Sequence, residues 1–190
     1  MLRLIRQSEM VEGPWRNSMG VSWEIASHHE PNATDFSWRF AKARIDRDVP
    51  FSIYPGMDRV FMQISGKGLD LEFEGGHIIE VHQSNVLHVF PCDIPLNCKL
   101  LDGPCFDLNL FTAHGVYEAQ ASVLKLSGME TLDLAGVEAV FFALEGSLVL
   151  SGQGGTVSLN KGDAALVSHE QAISIAGHGA AVFVGILNKF

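Results

Sequence analysis

Short runs of alternating apolar and polar residues dominate this chain, and each run is closed by glycine, proline, asparagine or aspartate. Leu69–Phe73, Phe106–Leu110 and Thr156–Leu159 show the pattern, with every second residue apolar. A period of two over four or five residues is typical of a strand with one buried face. Helical periodicity is weak, and its best candidates are the N-terminus and residues 114–121. The chain is therefore predicted to be mostly β.

A weak internal repeat indicates how the strands are arranged. Val60–Phe73 is similar to Val140–Leu150, since each has an apolar strand, a glycine-containing tight turn and a second apolar strand. Gly66-Lys67-Gly68 is interpreted as a hairpin turn, and Val157–Val167 adds a strand, a Gly-Asp turn and another strand. Successive hairpins of this kind suit a jelly-roll barrel of the cupin type.

The predicted fold is all-β, with two cupin-like jelly-roll β-barrels (a bicupin) packed in one compact unit. The first half is placed at residues 1–113 and a smaller second half at 114–190. All seven arginines and all three tryptophans lie within the first 59 residues. We therefore expect the first half to carry the binding pocket.

Composition narrows the class of protein and its partners. With 47% hydrophobic and only 18% charged residues, the chain is not intrinsically disordered. A net charge of -9 disfavours nucleic acid and anionic membranes, which are bound through clustered lysine and arginine. The N-terminus lacks the apolar core of a signal peptide, which predicts a cytoplasmic protein. Small molecules or proteins are the expected partners, and a homodimer through a sheet edge is possible.

Neither a metal nor another cofactor is expected. The chain has an odd number of cysteines and no CxxC pair, which favours free, buried thiols at Cys92, Cys98 and Cys105. His77, His82 and His88 are spaced by five and six residues and do not reproduce the HxH pair of metal-binding cupins. They are interpreted as scattered surface or loop histidines.

Polar residues inside apolar strands are the candidates for a binding pocket. Arg39 faces away from its apolar neighbours in Phe36–Phe40, and Asp107 and Asn109 share one face of Phe106–Leu110. In a barrel, the two faces of a strand look inward and outward. These side chains therefore either line an internal pocket or form an ordinary solvated face.

The segment before the strand at residue 60 adds two charged candidates. Pro55-Gly56 predicts a sharp turn, which places Asp58 and Arg59 at the mouth of that strand. An arginine held there could bind a carboxylate through two parallel hydrogen bonds. The alternative is a salt bridge that only anchors the turn.

Five ordered motifs in the first 110 residues together resemble the HutD/Ves family of bacterial bicupins. The motifs are Trp15-Arg16-Asn17 with Gly20 and Glu24-Ile25; Phe36-Ser37-Trp38-Arg39; Pro50-Phe51-Ser52 with Pro55-Gly56-Met57-Asp58-Arg59; Gly66 with Gly68-Leu69; and Asp102-Gly103-Pro104 with Asp107-Leu108-Asn109. The resemblance implies a two-cupin fold without the usual metal ligands. The pocket-lining residues carried over from it are Asn17, Arg39, Asp58, Arg59, Asp107 and Asn109.

The resemblance also implies a binding function in histidine utilisation, with a regulatory or accessory role and no assigned catalytic residue. A small carboxylate metabolite such as urocanate or formylglutamate is the expected ligand. One alternative is a metal-independent cupin enzyme, an isomerase or hydrolase. It would use Asp58 or Asp107 as general base and Arg59 or Arg39 to stabilise an oxyanion. Another alternative is a protein-interaction module with a vestigial pocket.

Overall fold

The computed structural model describes residues 1–31 and 33–190, and strands dominate this part of the chain. The strands are β1 (Leu2–Ile5), β2 (Val11–Pro14), β3 (Val21–His28), β4 (Trp38–Ile45), β5 (Val49–Pro50), β6 (Met57–Ser65), β7 (Leu69–Phe73), β8 (Ile78–Val81), β9 (His88–Pro91), β10 (Leu96–Leu100), β11 (Cys105–Ala113), β12 (Tyr117–Asp133), β13 (Glu138–Glu145), β14 (Ser147–Gly152), β15 (Gly155–Asn160), β16 (Ala164–Val167) and β17 (Ala172–Lys189). A 3-10 turn at Gln7–Glu9 is the one helical element in the described ranges. The all-β prediction is confirmed.

Both segments considered for helix are mainly extended. Residues 114–121 run into β12, and the N-terminus forms β1 before its single 3-10 turn. Strand pairing overrides the weak helical periodicity of residues 114–121, since β12 aligns with β17 along its whole length. None of the described residues belongs to a helix long and apolar enough to cross a membrane.

The chain divides into two compact units. The first unit is Val11–Val116, and the second unit combines Met1–Met10 with Tyr117–Phe190. The sequence-based division lay nearby at residue 113, but it grouped the first ten residues with the first half. They join the second unit because β1 pairs with β16 in antiparallel register. The ion pair between Arg6 Nη1 and Asp163 Oδ2, at 2.6 Å, extends this attachment.

The first unit is built from two antiparallel sheets of the cupin-like jelly roll. One sheet has six strands in the order β2-β3-β4-β11-β6-β9, and the other has four in the order β5-β10-β7-β8. Buried residues from both sheets form one cluster, namely Ile45, Val49, Phe51, Phe61, Leu69, Leu71, Phe73, Val81, Phe90, Leu96, Cys98 and Cys105. The apolar positions of the alternating segments supply much of this core.

The turn at Gly66–Gly68 connects the two sheets of the first unit. β6 pairs with β11 and β9, whereas β7 pairs with β10 and β8, so the predicted hairpin is wrong. Gly66 has a φ of +125°, which disfavours any side chain, and an added Cβ would lie 2.9 Å from the Cα of Cys105. The glycine is required because the turn crosses directly beneath the first residue of β11.

The second unit contains one curled seven-stranded sheet. The long strand β17 pairs through Ser174–Ala176 with β14 and through Ala181–Leu187 with β13, while β12 follows its other edge. β14 and β15 form a hairpin, whereas β15 and β16 do not pair with each other. The strands of the predicted repeat are therefore present, but their hairpin pairing was predicted incorrectly.

The crossing at Gly66 can be tested by adding one methyl group. Gly66→Ala should lower the free energy of unfolding by about 3 kcal/mol, since backbone strain and overpacking each cost about 1–3 kcal/mol. Gly76→Ala is the matched control, because Gly76 also has a positive φ of +88° but no atom within 4 Å of an added Cβ. It should cost about 1 kcal/mol. Equal losses in urea denaturation would contradict the close crossing.

Candidate functional site

The inner face of the six-stranded sheet carries polar side chains near its centre. Its central strand β11 places Asp107 opposite Ala43 of β4 and Gln63 of β6, and Asn109 opposite Ala41. Directly opposed residues project from the same face of a sheet. Since β4 contributes only methyl groups at these positions, space remains beside the carboxyl and amide groups of β11.

A recess opens over this face of the first unit. It encloses about 400 Å³ of space free of atoms, counting its mouth, and about 40 Å³ of it is wide enough for the centre of a water molecule. The lining residues are Trp15, Ser22, Arg39, Ala41, Ala43, Phe51, Ser52, Tyr54, Arg59, Asp107, Asn109 and Phe111. A narrow recess with aromatic walls and a few polar groups suits a small, thin ligand.

Arg59 is the buried cation of the recess. It lies on β6 opposite Phe111, is only 5% exposed, and donates a 3.4 Å hydrogen bond from Nη2 to the Ser52 carbonyl oxygen. Its Nε finds no acceptor among the described residues. A guanidinium carries five N–H donors, and burying such a group without partners is costly. Part of the donor capacity of Arg59 is therefore unused.

Aromatic rings surround the Arg59 guanidinium. Its Cζ lies 4.6 Å from the ring centre of Phe111, 4.9 Å from that of Phe51 and 5.7 Å from that of Phe90. The negative faces of such rings attract a cation, and the attraction grows when water is excluded. The rings thus stabilise the positive charge inside the unit without supplying an acceptor for Arg59 Nε.

Asp107 and Asn109 form a buried acceptor pair beside this cation. They are 2% and 5% exposed, and Asn109 Nδ2 donates a hydrogen bond to Asp107 Oδ1. Asp107 Oδ2 and Asn109 Oδ1 have no hydrogen-bond partner in the described part of the chain. Burial raises the pKa of Asp107 to about 7, although the Asn109 hydrogen bond and the Arg59 charge oppose the shift. Asp107 is therefore poised to exchange a proton near neutral pH.

Arg39 also lines the recess, but its hydrogen bonds are largely used. Its Nε donates to Glu24 Oε2 at 2.8 Å and its Nη2 to the Ser22 hydroxyl at 3.3 Å. The side chain is 16% exposed, so water reaches this ion pair more easily than it reaches Arg59. Because Glu24 neutralises its charge, Arg39 is a weaker candidate for direct ligand binding.

The other two predicted site residues lie outside the recess. Asn17 donates from Nδ2 to the Pro50 carbonyl oxygen at 2.9 Å, and its Oδ1 accepts from the Met19 backbone. It thereby fixes the loop next to the lining residues. Asp58 projects to the opposite face of β6, is half exposed and lies 3.1 Å from His114 Nε2. Of the six predicted residues, the structure brings Arg39, Arg59, Asp107 and Asn109 together.

The sequence did not single out the aromatic wall. Phe51 and Tyr54 reach the recess from the loop after β5, and Trp15 reaches it from the loop after β2. The spacing of Trp15 and Gly20 in the first motif could have indicated it. An added Cβ at Gly20 would lie 2.5 Å from Trp15 Cε2, so the ring needs a glycine there. The small residue lets the indole ring lie against its own loop, next to Phe51 at a centroid distance of 5.7 Å.

Histidines and cysteines do not build a second centre. Within residues 1–31 and 33–190, no three His, Cys, Asp or Glu side chains form a metal-binding group. His82 Nε2 instead lies 2.8 Å from Asp70 Oδ1 at an exposed position. The three cysteines are free and buried, and burial raises the pKa of each thiol. Thiols in this state are poor nucleophiles.

The chain matches the HutD family model over residues 7–184. It is 29% identical over 119 residues to an uncharacterized 21.2 kDa protein in the hutC 3′ region of Pseudomonas putida, covering 63% of this chain and 62% of that protein. It is 31% identical over 112 residues to protein Ves of Cronobacter sakazakii, covering 57% and 59%. These matches span less than two thirds of the relatives' own length.

Solved structures extend the similarity to the full fold. A conserved protein of unknown function from Pseudomonas aeruginosa PAO1 has a TM-score of 0.89 at 25% identity, with 99% of both chains covered. HutD from Pseudomonas fluorescens SBW25 has a TM-score of 0.86 at 23% identity, with 100% of both chains covered.

The buried acid makes stability depend on pH in a defined direction. Asp107 keeps its proton to about pH 7 when folded, whereas an ordinary carboxyl group with a pKa of 3.8 loses it. Between these two pKa values the unfolded chain binds fewer protons than the folded protein does, so the free energy of unfolding falls as pH rises. Asp107→Asn removes this pH dependence. The free energy of unfolding of the variant, relative to that of the parent, should therefore rise by up to about 4 kcal/mol between about pH 4 and pH 8, since one pKa unit equals about 1.4 kcal/mol.

The pH effect can be measured on the first unit itself. All three tryptophans, Trp15, Trp23 and Trp38, lie there, so fluorescence during urea unfolding follows that unit. Asp46→Asn, at an exposed position, controls for the loss of one acidic charge. A stability difference between Asp107→Asn and the parent that stays constant from about pH 4 to 8 would contradict a buried protonated acid.

Proposed function

The chain belongs to the HutD family, and from that premise we propose that it binds a small carboxylate metabolite of histidine breakdown in the recess of its first unit. Its role would be regulatory or accessory. The observation that carries the proposal is Arg59, a buried guanidinium with an unpartnered Nε beside an open recess.

A carboxylate supplies what Arg59 lacks. The guanidinium donates a long hydrogen bond to Ser52, interacts with the Cys92 thiol and acts on Asp107, which is itself partly protonated near neutral pH. A bound carboxylate would add a full negative charge and two parallel hydrogen bonds. Binding would therefore compensate the burial of the cation, and a neutral ligand would not.

Ligand size and pathway context favour metabolites such as urocanate or formylglutamate. The recess is narrow, and its walls include Trp15, Phe51 and Phe111, which can pack against a thin or planar molecule. The structure of HutD from Pseudomonas fluorescens was obtained in a formate condition, and formate is the smallest carboxylate. A further relative is placed in the hutC 3′ region. Both support a carboxylate of this pathway.

Asp107 supports a second candidate, a metal-independent enzyme acting on a small carboxylate. A pKa of about 7 and an unpartnered Oδ2 are properties of a general base, and Arg59 could stabilise an oxyanion. Proton NMR of urocanate or formylglutamate incubated with the protein separates the two functions. New product signals that disappear with Asp107→Asn would favour the enzyme. Broadened ligand signals without any product signal would favour a binding protein.

Replacing the cation tests the proposed function. Arg59→Lys keeps the positive charge but loses the planar pair of donors, and it should weaken urocanate or formylglutamate binding about tenfold or more. Isothermal titration calorimetry gives the affinity, and a thermal melt of the same sample gives stability. Arg44→Lys is the matched control, because Arg44 is exposed and pairs with Asp46 at 2.7 Å.

A different outcome would indicate that Arg59 only anchors the turn before β6. Arg59→Lys would then lower the melting temperature and leave the affinity per folded molecule equal to that of the parent. Failure of the parent to bind any carboxylate, formate included, would overturn the proposed function.

A further inference from the structure

We propose that the recess selects carboxylates that also carry an N–H donor, which binds the acceptor pair formed by Asp107 Oδ2 and Asn109 Oδ1. This inference rests on the proposed function, since it assumes that Arg59 binds the carboxylate. It names the second half of the ligand, and amides and azoles are the chemical groups that fit.

Above the pKa of Asp107, at about pH 8, the pair has two buried acceptor oxygens, Asp107 Oδ2 and Asn109 Oδ1, that no described residue donates to. Asn109 uses Nδ2 on Asp107 Oδ1, which orients its own Oδ1 away from that bond. Turning the amide over would bring its oxygen against the Asp107 carboxylate, so the observed orientation is the favoured one. Both remaining oxygens are buried without a partner among the residues described. Leaving such atoms without a partner is costly for folding, and a bound donor would recover that cost.

Neither neighbouring strand donates to these oxygens. On β6, Gln63 lies opposite Asp107, but its Nε2 donates to the Gly66 carbonyl oxygen and the Ser84 hydroxyl, and Phe61 lies opposite Asn109. The residues opposite Asn109 and Asp107 on β4 are Ala41 and Ala43, whose methyl groups offer no hydrogen. The same two alanines line the recess, so the space they leave is continuous with it. A ligand entering the recess can therefore place a polar hydrogen where the protein has none.

Strand geometry sets the distance between the two halves of the ligand. Arg59 lies opposite Phe111, which is two residues beyond Asn109 on β11. Two residues along a strand correspond to about 7 Å. The side chains of Arg59, Asp107 and Asn109 line the same recess, and the Arg59 charge acts on the Asp107 carboxyl group. A carboxylate and an N–H group separated by a few bonds can thus reach both sites in one molecule.

The arrangement also acts against ligands with acceptors only. Above the pKa of Asp107, a keto or ether oxygen placed beside Asp107 Oδ2 and Asn109 Oδ1 would face two acceptor oxygens without an intervening hydrogen. Sites built around buried hydrogen-bonding groups reject analogues that lack the matching group much more strongly than they reject a change in apolar size. Arg59 would then supply attraction to carboxylates in general, and the acceptor pair would supply selectivity among them.

An isosteric pair of ligands provides the test. N-acetylglycine and 4-oxopentanoate have the same chain length and differ only by NH in place of CH₂. We expect the parent protein to bind N-acetylglycine at least about tenfold more tightly at about pH 8, measured by calorimetry. Asp107→Asn puts an NH₂ group where Oδ2 was and should abolish or reverse the preference. Asp70→Asn, at a partly exposed residue that pairs with His82 outside the recess, should leave the preference unchanged.

The failures of the two proposals are distinguishable. If the parent binds both compounds with similar affinity, or if formate binds and N-acetylglycine does not, the selectivity inference is overturned and carboxylate binding stands. If Asp107→Asn keeps the full preference for N-acetylglycine, another donor-selective group is responsible and this assignment is wrong. If no carboxylate binds the parent at all, the proposed function is overturned together with the inference.

Discussion

The register of β11 between β4 and β6 determines where the polar groups of the first unit lie. A strand paired on both edges cannot shift by one residue without turning its inner side chains outward. In this register Asp107, Asn109 and Phe111 all face inward, with Ala43, Ala41 and Arg39 opposite them on β4. The same alignment sets Arg59 opposite Phe111. The recess therefore exists because backbone hydrogen bonds outside it hold three strands in one alignment.

Electrostatics inside the recess follows from that alignment. A guanidinium and a carboxyl group are buried near each other, yet no direct hydrogen bond joins them in the described structure. Three aromatic rings surround the cation, and burial keeps Asp107 partly protonated near pH 7. Buried charged groups with unused hydrogen-bonding capacity are expensive for folding and are typical of functional sites. This cost is the physical reason for assigning a ligand to the first unit.

Family membership and local geometry support different parts of the functional conclusion. The HutD match covers residues 7–184, and one relative is a protein of a hutC 3′ region, which links the family to a histidine-utilisation region. It does not identify the atoms that contact a ligand. Those come from burial and unpartnered donors and acceptors, which separate Arg59 from the exposed Arg44 and Asp107 from the exposed Asp58. The proposed ligand class combines the pathway from the first source with the carboxylate and N–H preferences from the second.

The sequence by itself determined the β class, the family and which polar residues interrupt apolar strands. Period-two alternation is a local property, so Phe106–Leu110 could be assigned to a strand with Asp107 and Asn109 on one face. Strand pairing is not local. The Gly66–Gly68 turn has the composition of a hairpin but crosses between two sheets, and β1 pairs with β16 across most of the chain. Only the tertiary structure decided that Arg59 is buried while its neighbour Asp58 is exposed, because the side of a strand that faces the core depends on which strands pack against it.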